Sequence, residues 1–289
     1  MDTTVNRTKQ KAKQTGEQAS NSVKPWVRGF ARFGYMAKGF VYTLLGILSL
    51  LAALGVGGGK TSDTQGVFAT VASQPFGNAL LWIVAVGLIG YVVWRIIQAV
   101  QDPEHKGKDG SGIGARIGYL VSAGIYTFLT FKAISIASSA GSSGSSGSGG
   151  SKQTVIAKLL SQPFGQWVIG IIGVGVIVYA LAQIYKGMKE KFTKDFKLSE
   201  MNDHEKRIVT KTGKLGLTAR GIVLAIIGYF FIVTAVTSNA QNAQGLDAAL
   251  GKIASQPFGQ WLLGLVAIGL ACYGIFQIMK GKNKHLTLS

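Results

Sequence analysis

Three polar stripes interrupt otherwise apolar sequence, and any chemistry has to be sought there. Gly87–Tyr91–Arg95, Gly175–Tyr179–Gln183 and Gly269–Tyr273–Gln277 each place a glycine, a phenol and a polar end at intervals of four. Residues four apart share one helix face. Two readings follow. In the first, the glycine admits a neighbouring helix and the polar groups hydrogen-bond across the contact, which makes a packing seam. In the second, the same groups form a polar lining for a solute or an ion near an axis. Neither places a nucleophile beside a base.

The other reactive groups are as sparse. All 12 acidic residues fall outside the apolar stretches, which removes paired carboxylates and an acidic proton relay from them. His105, His204 and His285 sit in charged loops or the tail, without metal-ligand spacing. Cys272 is the single cysteine and forms no intrachain disulfide. There is no P-loop pattern, no HExxH and no Cys–His cluster. The expectation is a protein that is not an enzyme, with no catalytic residues, no cofactor and no metal.

A second signal is repetition. Ser-Gln-Pro-Phe-Gly occurs at Ser73–Gly77, Ser161–Gly165 and Ser255–Gly259. The copies start 88 and 94 residues apart, and a period that long marks a repeated supersecondary unit or small domain. Short apolar segments precede each copy and suggest one or two helical turns on an interface. Proline suits the first turn of a new helix, and the residue before it avoids the α region. Gln74, Pro75 and Phe76, with Gln162, Pro163 and Phe164, and Gln256, Pro257 and Phe258, therefore read as corners where a surface helix turns into a membrane. The alternative is a ring of three polar groups, Gln74, Gln162 and Gln256, that binds something.

The elements that position these residues are six apolar runs. They cover roughly Gly34–Leu54, Ala79–Val100, Ile117–Ala137, Gln166–Tyr185, Gly221–Thr237 and Gln260–Met279. Each approaches the ~20 residues a helix needs to cross a bilayer. Only 15% of the 289 residues are charged. The fold class expected is an all-α membrane protein, six transmembrane helices built from three parallel two-helix repeats in a pseudo-threefold arrangement. The divisions are a basic disordered tail at 1–30 and repeats at 31–110, 111–200 and 201–289. The middle repeat carries a Ser/Gly-rich outer loop at 138–151.

Net charge is +18, and its distribution sets orientation. Of 30 Lys and Arg residues, Lys60, Lys152, Lys158 and Lys252 lie on the side of the SQPFG segments, Lys132 lies inside the third run, and the other 25 gather on the opposite side. Basic residues concentrate on the cytoplasmic side, so both termini are expected there. In register, the opening helices carry Arg32, Arg116 and Lys214, then Lys38, Ser122 and Arg220. These cations are expected to snorkel to headgroups at the inner interface, and Lys132 to snorkel outward. Asn202 followed by Glu205 resembles a capping box and suggests a short surface helix with Ile208 and Val209 partly buried. The expected partner is the lipid bilayer, with anionic lipid attracted to the basic cytoplasmic face. A membrane-protein partner or a second copy is compatible, and nucleic acid is not expected.

The motifs ARxGYxxxGxxY and SQPFGxWLLGLxAxGLxxYGxxQ resemble the bacterial membrane family known as domain of unknown function 1206. The first unit departs with Asn78 and Arg95 where the others carry glutamine. The resemblance implies a two-helix transmembrane unit, commonly present three times, in a bacterial inner membrane. It implies no catalytic residue, substrate or cofactor. The function expected is that of a non-catalytic structural or accessory membrane protein, the alternative being a small channel or transporter that uses the pseudo-threefold axis.

Overall fold

Long apolar runs without internal proline fold as helices, and no strand occurs among the described residues of the computed structural model, 25–56, 64–102, 110–138, 156–162, 164–196 and 201–283. The elements are α1 (Pro25–Ala53), α2 (Thr64–Ala72), α3 (Gly77–Gln101), α4 (Gly110–Ser138), α5 (Gly165–Met188), α6 (Asp203–Thr237), α7 (Leu246–Ala254) and α8 (Gly259–Asn283). Among the described residues, α1, α3, α4, α5, α6 and α8 are the 6 helices of membrane-crossing length and composition. The protein is an all-α membrane protein of three parallel two-helix repeats. Of the tail expected to be disordered at 1–30, residues 25–30 instead form the first turns of α1, and Ser138 of the expected loop at 138–151 ends α4; residues 1–24 and 139–151 lie outside the described residues.

Each SQPFG segment is a turn of the same construction. The Gly77 amide donates to the Gln74 carbonyl at 2.8 Å, and the Gly165 and Gly259 amides donate likewise to Gln162 and Gln256 at 3.0 and 2.7 Å. The phenylalanine before each glycine is left-handed, with φ of 62° at Phe76, 68° at Phe164 and 59° at Phe258. Closure with a positive φ at the third residue is the geometry of a type II turn, for which proline favours the second position. This corrects the first-turn reading of proline. α3 and α8 begin two residues later, at Gly77 and Gly259, and Pro75 and Pro257 preset the turn that precedes them. Pro163 lies outside the described residues. A Cβ at Gly77, Gly165 or Gly259 would overlap the carbonyl of Val71, Leu159 or Ala254, so the closing position admits only glycine.

The six long helices form a ring in the order α4–α3–α1–α8–α6–α5. The most extensive packing joins different repeats. α1 lies on α8, with Gly39 and Gly46 against Gly274 and Ala271, and α5 lies on α6, with Gly173 against Gly228. α3 also packs along α4. Small residues let backbones approach where no hydrophobic force between helices exists. α2 covers α1, α3 and α4 with Val67, Phe68 and Val71, and α7 covers α6 and α8 with Ala249, Leu250 and Ile253.

α6 differs from its sequence reading. Asn202 does cap it, accepting the Glu205 amide at 2.8 Å. The capped turn, however, runs without a break into the membrane span and gives one helix of 35 residues. No Gly–Pro or turn chemistry interrupts Lys206–Arg220, so the basic segment simply extends the helix. Val209 is buried and Ile208 half-buried. Phe192 and Phe196, from the 3-10 segment Lys191–Asp195 and the residue after it, pack on Phe276 of α8 with ring centroids 5.2 and 5.6 Å away.

Candidate functional site

The ring closes in two repeats and stays open in the third. In repeat 1, Gly34 of α1 receives Tyr91 of α3, and Gly87 receives Ala37. In repeat 3, Gly216 of α6 receives Tyr273 of α8, and Gly269 receives Ala219. The equivalent pairs in repeat 2 are Gly118 with Tyr179 and Gly175 with Val121. A Cβ on Gly118 or Gly175 would meet nothing within 4 Å. α4 and α5 do not pack along one another, although they belong to one repeat. Tyr91 and Tyr273 are accordingly buried at 0% and 2% exposure, whereas Tyr179 is 45% exposed. The glycine stripe is thus a seam at Gly87 and Gly269 and an open flank at Gly175.

The polar ends of the stripes meet a set of residues from the opening helices. Lys38 does not snorkel. It is 2% exposed and points to the centre, where Nζ donates to the Tyr91 hydroxyl at 2.9 Å. The same ammonium lies 4.6, 4.7, 5.7 and 5.9 Å from the ring centroids of Tyr91, Tyr126, Tyr273 and Tyr42. Four helices (α1, α3, α4 and α8) therefore supply its cage, and cation–π attraction replaces part of its lost hydration. The reason is positional. A residue this far along α1 lies about 22 Å from the corner end at 1.5 Å per residue, and close packing of α1 on α3 and α8 leaves it no outward path.

Two guanidinium groups flank this cage. Arg95 donates to the Tyr91 hydroxyl from Nε at 2.8 Å and from Nη2 at 2.6 Å, and to Gln98 Oε1 at 3.0 Å. It also stacks 5.1 Å from the Tyr119 centroid on α4. Arg220 lies 4.9, 5.8 and 6.0 Å from the centroids of Tyr273, Tyr179 and Tyr42. It reaches the Tyr179 hydroxyl at 3.5 Å, and its buried Nε has no acceptor. Gln277 donates to Tyr273 at 2.5 Å, and Gln183 is buried on α5. Lys132 is separate from this group, half-buried beside the ring of Phe128 at 5.7 Å.

The acids of the ion pairs between helices lie at the end opposite the SQPFG turns, whereas Asp247 lies on α7 at the turn end. Asp102 pairs with Arg116 at 3.1 Å, Glu190 with Lys214 at 3.6 Å and Glu205 with Lys282 at 2.8 Å. Among the described residues no carboxylate lies within ion-pair distance of Lys38, Arg95 or Arg220. Three cations thus share one polar cluster with phenols and amides alone. Such a cluster can hold an anion by charge-assisted hydrogen bonds.

The sequence reading singled out Tyr91, Tyr179, Tyr273 and Arg95 and missed Tyr42, Tyr119 and Tyr126 and the inward turn of Lys38. A signal for them existed. Tyr35, Lys38 and Tyr42 recur one face apart at i, i+3 and i+7, and Tyr119, Ser122 and Tyr126 repeat the spacing. Gln74, Gln162 and Gln256 do not converge on this cluster, since they belong to the turns at the opposite end. Phe76, Phe164 and Phe258 are exposed there.

The profile of the family described as Domain of Unknown Function (DUF1206) matches three segments of the chain, 33–102, 117–190 and 215–284. An uncharacterised protein of Bacillus subtilis (strain 168), YxxB, is 41% identical over 264 residues, which cover 91% of this chain and 94% of that relative. No solved structure matches.

Proposed function

The chain belongs to the DUF1206 family, and we propose that it is a non-catalytic membrane protein that works by holding another molecule of the bilayer in the open seam of its middle repeat. One observation carries this reading. The glycines that close repeats 1 and 3 face open space at Gly118 and Gly175. The filled centre favours binding over conduction along the axis, because Lys38, Tyr91 and Tyr273 leave almost no surface to water. The cluster offers cations, phenols and amides, with no carboxylate among its described residues, a donor-rich set suited to holding an anion. We place the protein in a bacterial inner membrane with both termini cytoplasmic, on the strength of the basic-residue asymmetry.

The test is native mass spectrometry on protein extracted in mild detergent. Gly118→Leu and Gly175→Leu put side chains into open space, so both variants should fold and should block the seam. Wild type should retain a bound mass that both variants lose, and its liposomes should be tight to ions and small solutes. Ion or solute flux in wild type that changes with Lys38→Met would establish the conducting alternative instead. Reporter fusions at each terminus check orientation, and a periplasmic signal from either one overturns the placement.

A further inference from the structure

We infer that the occupant of the open seam is one anionic phospholipid, its phosphate held by Arg95, Arg220 and the Tyr179 hydroxyl. The inference rests on the open-seam reading above and names its ligand. Arg95 stacks on Tyr119 of α4, and Arg220 reaches Tyr179 of α5, so the two guanidinium groups border the opening from its two sides. Both are half-exposed, while Lys38 behind them is sealed. The threefold pattern explains the space. Lys38 and Arg220 occupy equivalent places in repeats 1 and 3, and the third place, in repeat 2, holds only Ser122.

Charge selects the ligand. Three cations without a carboxylate partner among the described residues repel one another, and a monoanionic phosphate between Arg95 and Arg220 relieves that repulsion with bidentate hydrogen bonds. Arg220 keeps donors for it, since among the described residues its guanidinium makes one hydrogen bond, to Tyr179 at 3.5 Å. Depth selects a lipid over a free ion. Arg95 is about 27 Å and Arg220 about 25 Å from the corner ends of their helices at 1.5 Å per residue, which sets both near one bilayer face. The seam above them is walled by glycine and apolar groups, with Val121, Val174 and Val178 exposed, a surface suited to an acyl chain and not to a hydrated ion.

The experiment measures binding to the full chain in neutral detergent, by thermal shift and native mass spectrometry. The probes are dioctanoyl phosphatidylglycerol, dioctanoyl phosphatidylcholine and inorganic phosphate. Phosphatidylglycerol should bind at least tenfold more tightly than phosphatidylcholine, and phosphate alone should give no shift. Arg95→Gln and Arg220→Gln should each weaken phosphatidylglycerol at least tenfold and narrow its margin over phosphatidylcholine. Ser122→Glu provides a second route that leaves the existing hydrogen bonds intact. Its carboxylate stands in the vacant third place of the pattern and should abolish the anionic preference. Undiminished preference in all three variants overturns the site. A phosphate shift as large as the lipid's overturns the choice of lipid, and a bound second copy in place of lipid overturns it too. Equal binding of the two lipids overturns the selection of an anionic lipid, since both carry the phosphodiester and differ in net charge, while leaving the open seam standing. Binding of neither lipid, with no retained mass on wild type, sinks both readings.

Discussion

Alanine at three equivalent glycines should have opposite effects depending on the repeat. Gly34, Gly118 and Gly216 occupy one register position in α1, α4 and α6. Ala in place of Gly favours a helix by about 0.8–1.0 kcal/mol at each site, so that contribution cancels when the three variants are compared. What remains is the fit of one methyl group. At Gly34 its carbon would stand 2.7 Å from Tyr91 Cα, and at Gly216 it would stand 2.5 Å from Tyr273 Cα. Carbon atoms rest about 3.5–4.0 Å apart, so α1 and α3, or α6 and α8, must separate by about 1 Å. Backbone cannot swing aside as a long side chain does, and such overpacking costs about 1–3 kcal/mol. At Gly118 the methyl meets nothing within 4 Å. Gly118→Ala should therefore melt above Gly34→Ala and Gly216→Ala, by about 2–4 °C for each kcal/mol on the scale of domains of 150–250 residues. Thermal unfolding in detergent, followed by tryptophan fluorescence, measures the gap. If Gly118→Ala falls as far as the other two, α4 and α5 are packed together in solution and the open-ring reasoning fails.

Val121→Ala should let α4 approach α5, because the residue opposite Gly87 and Gly269 is alanine in the closed repeats; Tyr179 would then lose accessibility to lipid-phase quenchers, and an unchanged accessibility would mean that residue 121 does not hold the seam apart. Gly77→Ala and Gly259→Ala should each destabilise by about 1–3 kcal/mol, since the new methyl overlaps the Val71 or Ala254 carbonyl; equal melting of variant and wild type would show that the turn relaxes freely. Lys38→Met should leave stability unchanged or raise it in zwitterionic nanodiscs, because an unpaired buried cation is replaced by an apolar chain of similar length; a clear drop in melting temperature would mean that the tyrosine cage more than offsets the desolvation of the ammonium.

The number and course of the membrane helices were readable because bilayer thickness imposes a length that a sequence either meets or does not. The repeats were readable because SQPFG recurs in register, and the demand behind it is strict: a left-handed Phe76, Phe164 or Phe258 followed by a glycine that no side chain can replace. The site was only half legible. Spacing of four found the stripe on α3, α5 and α8, since both ends of that pattern lie on one helix. Which helices beyond their own repeat enclose Tyr91 and Tyr273 depended on packing between repeats. That information is spread over Gly39, Gly46, Gly173 and Gly228 and has no single motif.

The inward course of Lys38 shows why position along a helix does not fix a side chain's destination. Snorkelling requires an open path to headgroups. Arg32, six residues earlier on α1, has such a path and is exposed, whereas Lys38 is enclosed by tyrosines from four helices. The asymmetry of the ring has a comparably local cause. A glycine notch that already presses on the methyl of Ala37 or Ala219 has no room for the larger valine at 121. The same repeat carries Ser122 where the others carry a cation, so the one interface that steric bulk holds apart is also the one place where the ring of charge is unfilled. Bulk at one residue and missing charge at the next create a space that is apolar along its walls and cationic at its base, and an anionic phospholipid has that same division of character.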